Sequence, residues 1–285
     1  MSVPAAKIIP LLDAGSDNHW REEAGQCQAQ VPITTLRILT YNIQTGIATT
    51  CYRDYFTHSW KHVLPHAERM QNLDGIAHDI RKFDIVGLQE VDAGSLRSGF
   101  INQTEYLATR GHFPHWYHQT NRNLGKFAQH SLGVLSRIKV ASVTEYKLPG
   151  LFPGRGAMAV ELGSGASTVL LLIVHLALSQ RARLQQLAAL HEIRSEHENV
   201  IIMGDFNFPS DSKEMEWVMS NMDMREPIHG LHTFPSWRPF RNIDHIFLSP
   251  GLEVSNVKAL NFPYSDHLPV AMEVNLPASL VLQAN

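Results

Sequence analysis

Short runs of alternating or continuous apolar residues recur along the chain and predict strands. In Leu36–Asn42 apolar and polar positions alternate up to a turn, and Asp84–Val91 is a short, mostly apolar run. Alternation is typical of a half-buried strand, whereas a short continuous run is typical of a fully buried one. Further strands are predicted at His115–Gln119, Leu132–Ser136 and Ala141–Leu148, in a hairpin over residues 156–176, and over residues 199–207, 243–249 and 269–276.

Helical spacing of apolar residues appears in only a few places. One helix is predicted around residues 73–80, with Pro65 upstream in a position that suits a first helical turn. Asn102 resembles a helix start and Gly111 a helix stop. Residues 181–197 form the clearest helical pattern. Many strands with few helices between them indicate one domain of layered sheets covered by helices.

The domain limits follow from the same pattern. Residues 1–34 show no sustained periodicity and are expected to be an N-terminal extension. Residues 35–277 are predicted to form the catalytic domain, and residues 278–285 a C-terminal tail.

Composition narrows the class of protein. Of 285 residues 44% are hydrophobic and 18% charged, which excludes global disorder. The net charge of −3 argues against a protein that coats nucleic acid through charge alone. Cys27 and Cys51 are too few for a disulfide framework, and their spacing fits no zinc site. The start of the chain lacks a signal-peptide pattern, and the longest apolar run is too short to span a membrane, so a cytoplasmic location is expected.

Polar residues interrupt the apolar pattern at a few positions. Four clusters lie at the ends of predicted strands, where a rigid scaffold presents catalytic groups. They are Tyr41-Asn42, Gln89-Glu90, Gly204-Asp205-Phe206-Asn207 and Ser265-Asp266-His267. His175 and Asp244 lie in otherwise apolar strands, where burial costs free energy unless a partner or an ion satisfies them.

Each of these residues also has a structural explanation. Asn42 alone could be a turn residue, and Glu90 a surface carboxylate. His175 could be a hydrogen-bonded core histidine, and Asp244 half of a buried ion pair. Asp266 could cap a helix or a turn. The order of the whole set along the chain is therefore more informative than any single member.

That ordered set resembles the endonuclease/exonuclease/phosphatase superfamily, which includes deoxyribonuclease I. The matching segments run from about residue 36 to 276 and are LRILTYNIQTG, DIVGLQEVD, HSLGVLSR, VHLALSQRARLQQL, VIIMGDFNFPS, RNIDHIFLS and YSDHLPVAMEV. Within the superfamily, small bacterial members of unassigned substrate are the most similar. The resemblance implies a four-layer α/β sandwich of two mostly antiparallel sheets flanked by helices. It also implies hydrolysis of a phosphate ester with a divalent metal, usually Mg²⁺, with Mn²⁺ as an alternative.

The resemblance also implies roles for individual residues. Metal binding falls to Asn42, Glu90 and Asp266. The implied catalytic residues are Asp205, which orients or deprotonates the attacking water, and Asn207 and His267, which bind the phosphate. Asp244 pairs with His267, and His175 helps to protonate the leaving group. Arg155 matches a side chain that faces the phosphate in several members. His245 should point to the opposite face from Asp244 and is expected to have no catalytic role.

The substrate is less constrained by the sequence. The basic residues expected nearest the cleft are Arg97, Arg122, Lys126, Arg155, Arg238 and Arg241. They are too sparse to bind an inositol polyphosphate, and the net charge of the chain disfavours extended nucleic acid as a substrate. Aromatic residues in 51–60 and 113–117 could stack on bases, touch lipid or pack the edge of the fold. A phosphodiesterase acting on a lipid headgroup or a small diester is favoured, a magnesium-dependent nuclease on DNA or RNA is the alternative, and a non-catalytic binding protein is the third class. The sequence does not indicate the oligomeric state.

Overall fold

The computed structural model of the chain describes residues 6–9, 33–49, 51, 67–150, 154–164, 167–280 and 282. Twelve strands form two six-stranded sheets, and four helices accompany them in this part of the chain. The strands are β1 Ala6–Ile9, β2 Thr35–Asn42, β3 Ile85–Asp92, β4 His115–Asn123, β5 Gln129–Ser136, β6 Val140–Lys147, β7 Gly156–Ser164, β8 Ser167–His175, β9 Asn199–Asp205, β10 Asp244–Leu248, β11 Glu253–Ala259 and β12 Val270–Asn275. The helices are α1 Ala67–Ile80, α2 Gln103–Gly111, α3 Gln180–Arg194 and α4 Lys213–Asn221.

The two sheets have related topologies. The first has the order β1-β6-β7-β8-β9-β10, and the second the order β11-β12-β2-β3-β5-β4. Each contains a single parallel pair, β8 with β9 and β2 with β3, and every other pairing is antiparallel. The predicted mostly antiparallel sheets are therefore confirmed.

Three hydrophobic clusters among the described residues define four layers. One cluster lies between the sheets and includes Ile38, Leu171 and Met203. A second joins α3 and α4 to the outer face of the first sheet, and a third joins α1 and α2 to the outer face of the second. The four-layer α/β sandwich that the resemblance implied is confirmed.

Most predicted elements are present close to their expected limits. The helix start at Asn102 is confirmed, because its side chain accepts hydrogen bonds from the backbone N–H groups of Thr104 and Glu105. Three elements were not predicted, namely β1, β11 and α4. Pro65, Cys27 and residues 52–66 lie outside the described residues.

The segments flanking the predicted domain also contact the sandwich. Strand β1 lies within the segment expected to be an extension, yet it pairs with β6 at the edge of the first sheet. The backbone N–H of Ile33 donates to the carbonyl of Leu282, and Leu282 is buried in the cluster between the sheets. The domain limits at residues 35 and 277 stay a prediction. No helix in the described part of the chain is long and apolar enough to cross a membrane.

Candidate active site

The carboxyl ends of the two parallel pairs meet at one side of the sandwich. Asn42 ends β2 in the second sheet, and Asp205 ends β9 in the first. The Asn42 Nδ2 atom donates a hydrogen bond to Asp205 Oδ2 at 3.0 Å, across the interface between the sheets. Both side chains are buried, so this contact joins the two sheets through residues that were predicted to belong to the site.

Strand register brings two further residues to Asp205. In the first sheet His175 and Asp244 are the two register partners of Asp205, on opposite sides. The His175 Nε2 atom lies 3.4 Å from Asp205 Oδ2 and 4.0 Å from Glu90 Oε1. Both residues were expected inside apolar strands, but His175 ends β8 and Asp244 begins β10, so their side chains can face the cleft.

A glycine allows β8 and β9 to approach at this point. Gly204 precedes Asp205 and has φ of 154°. A Cβ atom at this position would lie 2.0 Å from the carbonyl oxygen of Val174. Only glycine permits this approach, which sets His175 beside Asp205.

Asp244 and His267 form a buried pair. The His267 Nδ1 atom lies 2.9 Å from Asp244 Oδ2, and the Thr233 hydroxyl donates to the same oxygen at 2.5 Å. The Phe234 ring packs on His267 at a centroid distance of 4.9 Å. This arrangement leaves His267 Nε2 facing Asp205 Oδ2 at 3.8 Å. Neither Thr233 nor Phe234 was among the predicted site residues.

Asp266 and His267 lie before a strand instead of after one. They precede β12, which runs antiparallel to β2 and pairs Val270 with Thr40. The start of β12 therefore lies beside the end of β2. The Ser265 hydroxyl donates to the backbone carbonyl of Asn42 at 2.7 Å and so ties this loop to the site.

Glu90 lies at an irregularity inside β3. The register of β3 with β5 shifts between Leu88 and Val91, and Glu90 has φ of 56°. A non-glycine residue in the left-handed region is uncommon and marks a bulge that redirects a side chain. The bulge accounts for the position of the Glu90 carboxylate near His175, which simple strand alternation would not predict.

Asn207 is also held in the left-handed region, with φ of 57°. Its backbone N–H donates to Asp205 Oδ1, and its side-chain Nδ2 donates to the carbonyl of Leu176, both at 3.0 Å. An amide nitrogen carries two hydrogens, so one N–H of Asn207 is left for a ligand.

The surrounding protein raises the pKa of Asp205 and His267 and lowers the pKa of His175. Burial raises the pKa of Asp205 to about 7, although the neighbouring His267 lowers it. Burial alone would lower the pKa of His267, but the Asp244 carboxylate raises it well above the usual histidine range. Burial, followed by the positive charge of Arg155, holds the pKa of His175 well below that range. The site therefore contains a carboxyl that can exchange a proton near neutrality, a cationic histidine and a neutral histidine.

Two groups of side chains could hold a cation. Asn42, Glu90 and Asp266 carry side-chain oxygen atoms, of which Asn42 Oδ1 also accepts a hydrogen bond from the backbone N–H of Gln44 at 3.1 Å. Burial, followed by the Asp266 carboxylate, raises the pKa of Glu90. Crowded carboxylate oxygens suit a hard divalent cation. Among the described residues, a second group has ligand atoms that all lie within 4.8 Å of one another, and it consists of Asp205, Asp244 and His267. Asp244 in this second group is already paired with His267 and Thr233.

A cavity of about 600 Å³ adjoins the site. Glu90, His175 and Arg155 line it, together with Arg122 and His130 from the β4–β5 hairpin. Burial lowers the pKa of the Arg155 guanidinium, and the negative charges of Asp205 and Glu90 only partly offset this. Arg155 therefore lies in the wall of the cleft. His130 and Arg122 are cavity residues for which no motif gave a signal.

Other residues singled out from the sequence are engaged in packing or in internal pairs. Arg97 is buried in an ion pair with Asp92 at 2.5 Å, so it is not a free cation for substrate. Phe113 and Trp116 pack into the helix-covered cluster of the second sheet, in agreement with a packing role for residues 113–117. His245 is buried and its Nε2 donates to the carbonyl of Phe208 at 2.7 Å, as expected of a residue outside the site.

The fold matches known structures at low sequence identity. The endonuclease/exonuclease/phosphatase from Beutenbergia cavernae has a TM-score of 0.68 and 20% identity, with 87% of this chain and 73% of that chain covered. A mannosyl-6-phosphatase from Bacteroides thetaiotaomicron has a TM-score of 0.62 and 17% identity, over 84% and 99% of the two chains. The human Nocturnin catalytic domain, with bound sulfate, has a TM-score of 0.62 and 18% identity, over 87% and 96%. These likenesses establish the fold, and no curated protein matches the chain.

The sequence itself matches a family model over most of its length. The model of the Endonuclease/Exonuclease/phosphatase family covers residues 39–267. This span contains Asn42, Glu90, Asp205 and His267, which the fold brings to one cleft. The chain therefore belongs to the endonuclease/exonuclease/phosphatase family and is a phosphoric ester hydrolase.

Proposed function

We propose that the protein is a divalent-metal-dependent phosphodiesterase that hydrolyses a lipid headgroup or a small diester by in-line attack of water. One observation carries the proposal: Asp205 is held by Asn42 and flanked by His175 and His267. Phosphoryl transfer requires positioning and charge neutralisation more than covalent chemistry, and this cluster offers both without a Cys or Ser nucleophile.

Asp205 is the proposed acceptor of the proton from water. Its pKa of about 7 matches a general base that works near neutral pH. The hydrogen bond from Asn42 occupies one carboxylate oxygen, and the backbone N–H of Asn207 binds the other. These two contacts fix the plane of the carboxylate, so its remaining lone pairs have a defined direction.

The two histidines differ in protonation and are proposed to differ in role. His267, held cationic by Asp244, places a positive Nε2–H where it can bind a phosphate oxygen. His175 is neutral in the free protein and can donate a hydrogen bond to the leaving oxygen. A bound phosphate anion would raise the pKa of His175 and bring it closer to acting as the acid that the family resemblance implies.

The metal is proposed to be held by Asn42, Glu90 and Asp266. Their oxygen atoms fit Mg²⁺, with Mn²⁺ as a substitute. Such an ion would supply Lewis-acid stabilisation of charge on the phosphoryl oxygens. Asn207 and Arg155 are proposed to bind the phosphate from the other side of the cleft.

Hydrolysis of model esters tests the reaction class. We expect bis(p-nitrophenyl) phosphate to be cleaved faster than the mono-ester in the presence of Mg²⁺, and neither to be cleaved in EDTA. Asp205→Ala and His267→Ala should each lower kcat by at least about 100-fold. Glu216→Gln, a charge change on the exposed face of α4, is the matched control and should keep the full rate. Full activity of both site variants would refute the assignment.

A substrate panel separates the diester classes. It should contain sphingomyelin, glycerophospholipids, nucleotide diesters and plasmid DNA. Nicking of the plasmid with Mg²⁺, without hydrolysis of any lipid, would favour the nuclease alternative.

A further inference from the structure

Exposed apolar side chains concentrate at the mouth of the cavity. Among the described residues eight large hydrophobic side chains are exposed, and one of them, Leu178, lines the cavity. Leu124 and Phe127 lie at the tip of a hairpin that lines the cavity, and Phe100 lies on a loop bound to that tip. We call these four the mouth collar, and they are Phe100, Leu124, Phe127 and Leu178. Phe100 and Phe127 are 63% and 64% exposed, respectively. Exposed apolar residues grouped beside a polar site mark an interaction surface more often than scattered ones do.

The collar lies on segments that the structure joins directly. Arg122 and His130 face each other across the β4–β5 hairpin and both line the cavity, so the hairpin tip that carries Leu124 and Phe127 projects beyond the cavity wall. The backbone N–H of Arg97 donates to the carbonyl of Phe127 at 3.4 Å, which places the loop bearing Phe100 against this tip.

Leu178 completes the collar from the other sheet. It lines the same cavity, and its carbonyl accepts a hydrogen bond from Arg183 at 2.5 Å. The Arg183 guanidinium also pairs with the buried Glu214 carboxylate of α4. The loop that exposes Leu178 is therefore anchored, and its apolar side chain is exposed by a fixed backbone.

The charges beside the collar complement an anionic surface. Arg122 and Lys126 are exposed next to the apolar residues, while the whole chain carries a net charge of −3. Apolar residues that enter the boundary between headgroups and acyl chains, flanked by Arg and Lys, are typical of proteins that adsorb to anionic bilayers. Single-stranded nucleic acid would instead call for aromatic stacking platforms along a continuous basic groove. Two of the four collar residues are leucines, which favours lipid.

We propose that the mouth collar docks the protein on the surface of a bilayer that contains anionic lipid, with the catalytic cleft facing the headgroups. The catalytic role of docking rests on the proposed phosphodiesterase function, because docking would bring the cleft to the ester of a lipid headgroup. Adsorption itself does not depend on catalysis, so the two proposals can fail separately.

Vesicle co-sedimentation of the full chain tests the docking surface. We expect binding to vesicles of equimolar phosphatidylcholine and phosphatidylglycerol, and weaker binding to phosphatidylcholine alone. Phe100→Ser with Phe127→Ser should lower the partition coefficient by at least about tenfold. Ile8→Ser is the matched control, since Ile8 is 76% exposed on the edge strand β1, and it should bind like the wild type.

A second variant reaches the same surface through other residues. Leu124→Ser with Lys126→Glu should weaken binding to the anionic vesicles by a similar factor, which keeps the test decisive if the first variant fails to fold. Absence of vesicle binding by the wild type, or equal binding by all variants, would overturn the proposal. Loss of binding to single-stranded DNA in the collar variants, with no wild-type affinity for vesicles, would assign the collar to nucleic acid. Vesicle binding without hydrolysis of any diester would leave docking in place and refute the proposed function.

Discussion

Asp92 offers a quantitative test of the loop that borders the cleft. Its carboxylate is fully buried two residues after Glu90 and organises the loop over residues 93–99. It accepts hydrogen bonds from the backbone N–H groups of Gly94, Ser95 and Gln129, from the hydroxyls of Ser95 and Ser98, and from Arg97 Nε. Replacement of Asp92 by Asn keeps the shape but removes the charge and turns an NH₂ group toward donors.

The magnitude follows from the pKa of the carboxyl. Burial alone would raise the pKa of Asp92, but hydrogen bonds from Ser95 and Arg97 outweigh burial and lower it from 3.8 to about 2. At 1.36 kcal/mol per unit, ionised Asp92 contributes about 2 to 3 kcal/mol to the free energy of unfolding. Asp92→Asn also leaves the Arg97 cation buried without its partner, so we expect a loss of about 3 kcal/mol or more at pH 7.

Urea unfolding at several pH values measures the stability lost in Asp92→Asn and its dependence on the ionisation of Asp92. Because the folded-state pKa is depressed, the stabilisation is complete above the unfolded value of 3.8 and is lost as the pH falls through about 2. About half of it should be gone at pH 3, so the difference between wild type and Asp92→Asn should narrow there. Asp74→Asn is the control: the side chains of Asp74 and its partner Arg110 are 49% and 57% exposed, so a change of about 1 kcal/mol or less is expected. A difference below about 1 kcal/mol for Asp92→Asn at pH 7, or one that does not narrow in acid, would refute the reasoning.

Four further substitutions test the site and its supports. Gly204→Ala should lower the free energy of unfolding by about 3 kcal/mol and should also lower kcat, because the new Cβ atom would collide with the backbone carbonyl of Val174. Thermal melting measures the first effect and diester hydrolysis the second. Glu90→Gln should raise the Mg²⁺ concentration for half-maximal activity by about tenfold or more, whereas Asp244→Asn should lower kcat at an unchanged Mg²⁺ requirement; the reverse result would assign the metal to the group around Asp244. Gln186→Leu should cost about 2 kcal/mol in urea unfolding, because Gln186 binds the backbone of Ala177 and Pro149, each at 2.9 Å, and the substitution leaves both groups unsatisfied.

Buried strands made most of the fold predictable from sequence. Their apolar runs are bounded by turns, and the polar residues at their ends, such as Asn42 and Asp205, stand out against them. Two of the three elements that were not predicted, β11 and α4, are less apolar. Strand β11 alternates between exposed and half-buried positions, and α4 begins at the capping residue Ser212 with acidic residues in its first turn, a signal that could have identified it.

Local pattern could not predict contacts that tertiary structure alone creates. Glu90 reaches the cleft through a bulge, and a change of register cannot be inferred from alternation. Gln186 and Asp92 resemble surface residues in the sequence, yet each is buried and binds a backbone group 37 positions away, Gln186 that of Pro149 and Asp92 that of Gln129. The cavity residues Arg122 and His130 belong to the second sheet, whereas Arg155 precedes β7 of the first, so they meet through packing of the two sheets, for which no short motif exists.

The division of the site between two sheets has a consequence for how activity is acquired during folding. The hydrogen bond between Asn42 of the second sheet and Asp205 of the first joins residues 163 positions apart. Contacts of such separation require large loops to close and form late in folding. Each sheet can pair its own strands before the other is in place, but neither holds a complete catalytic group. Recovery of activity after dilution from urea should therefore follow docking of the two sheets and lag behind the return of β-sheet circular dichroism.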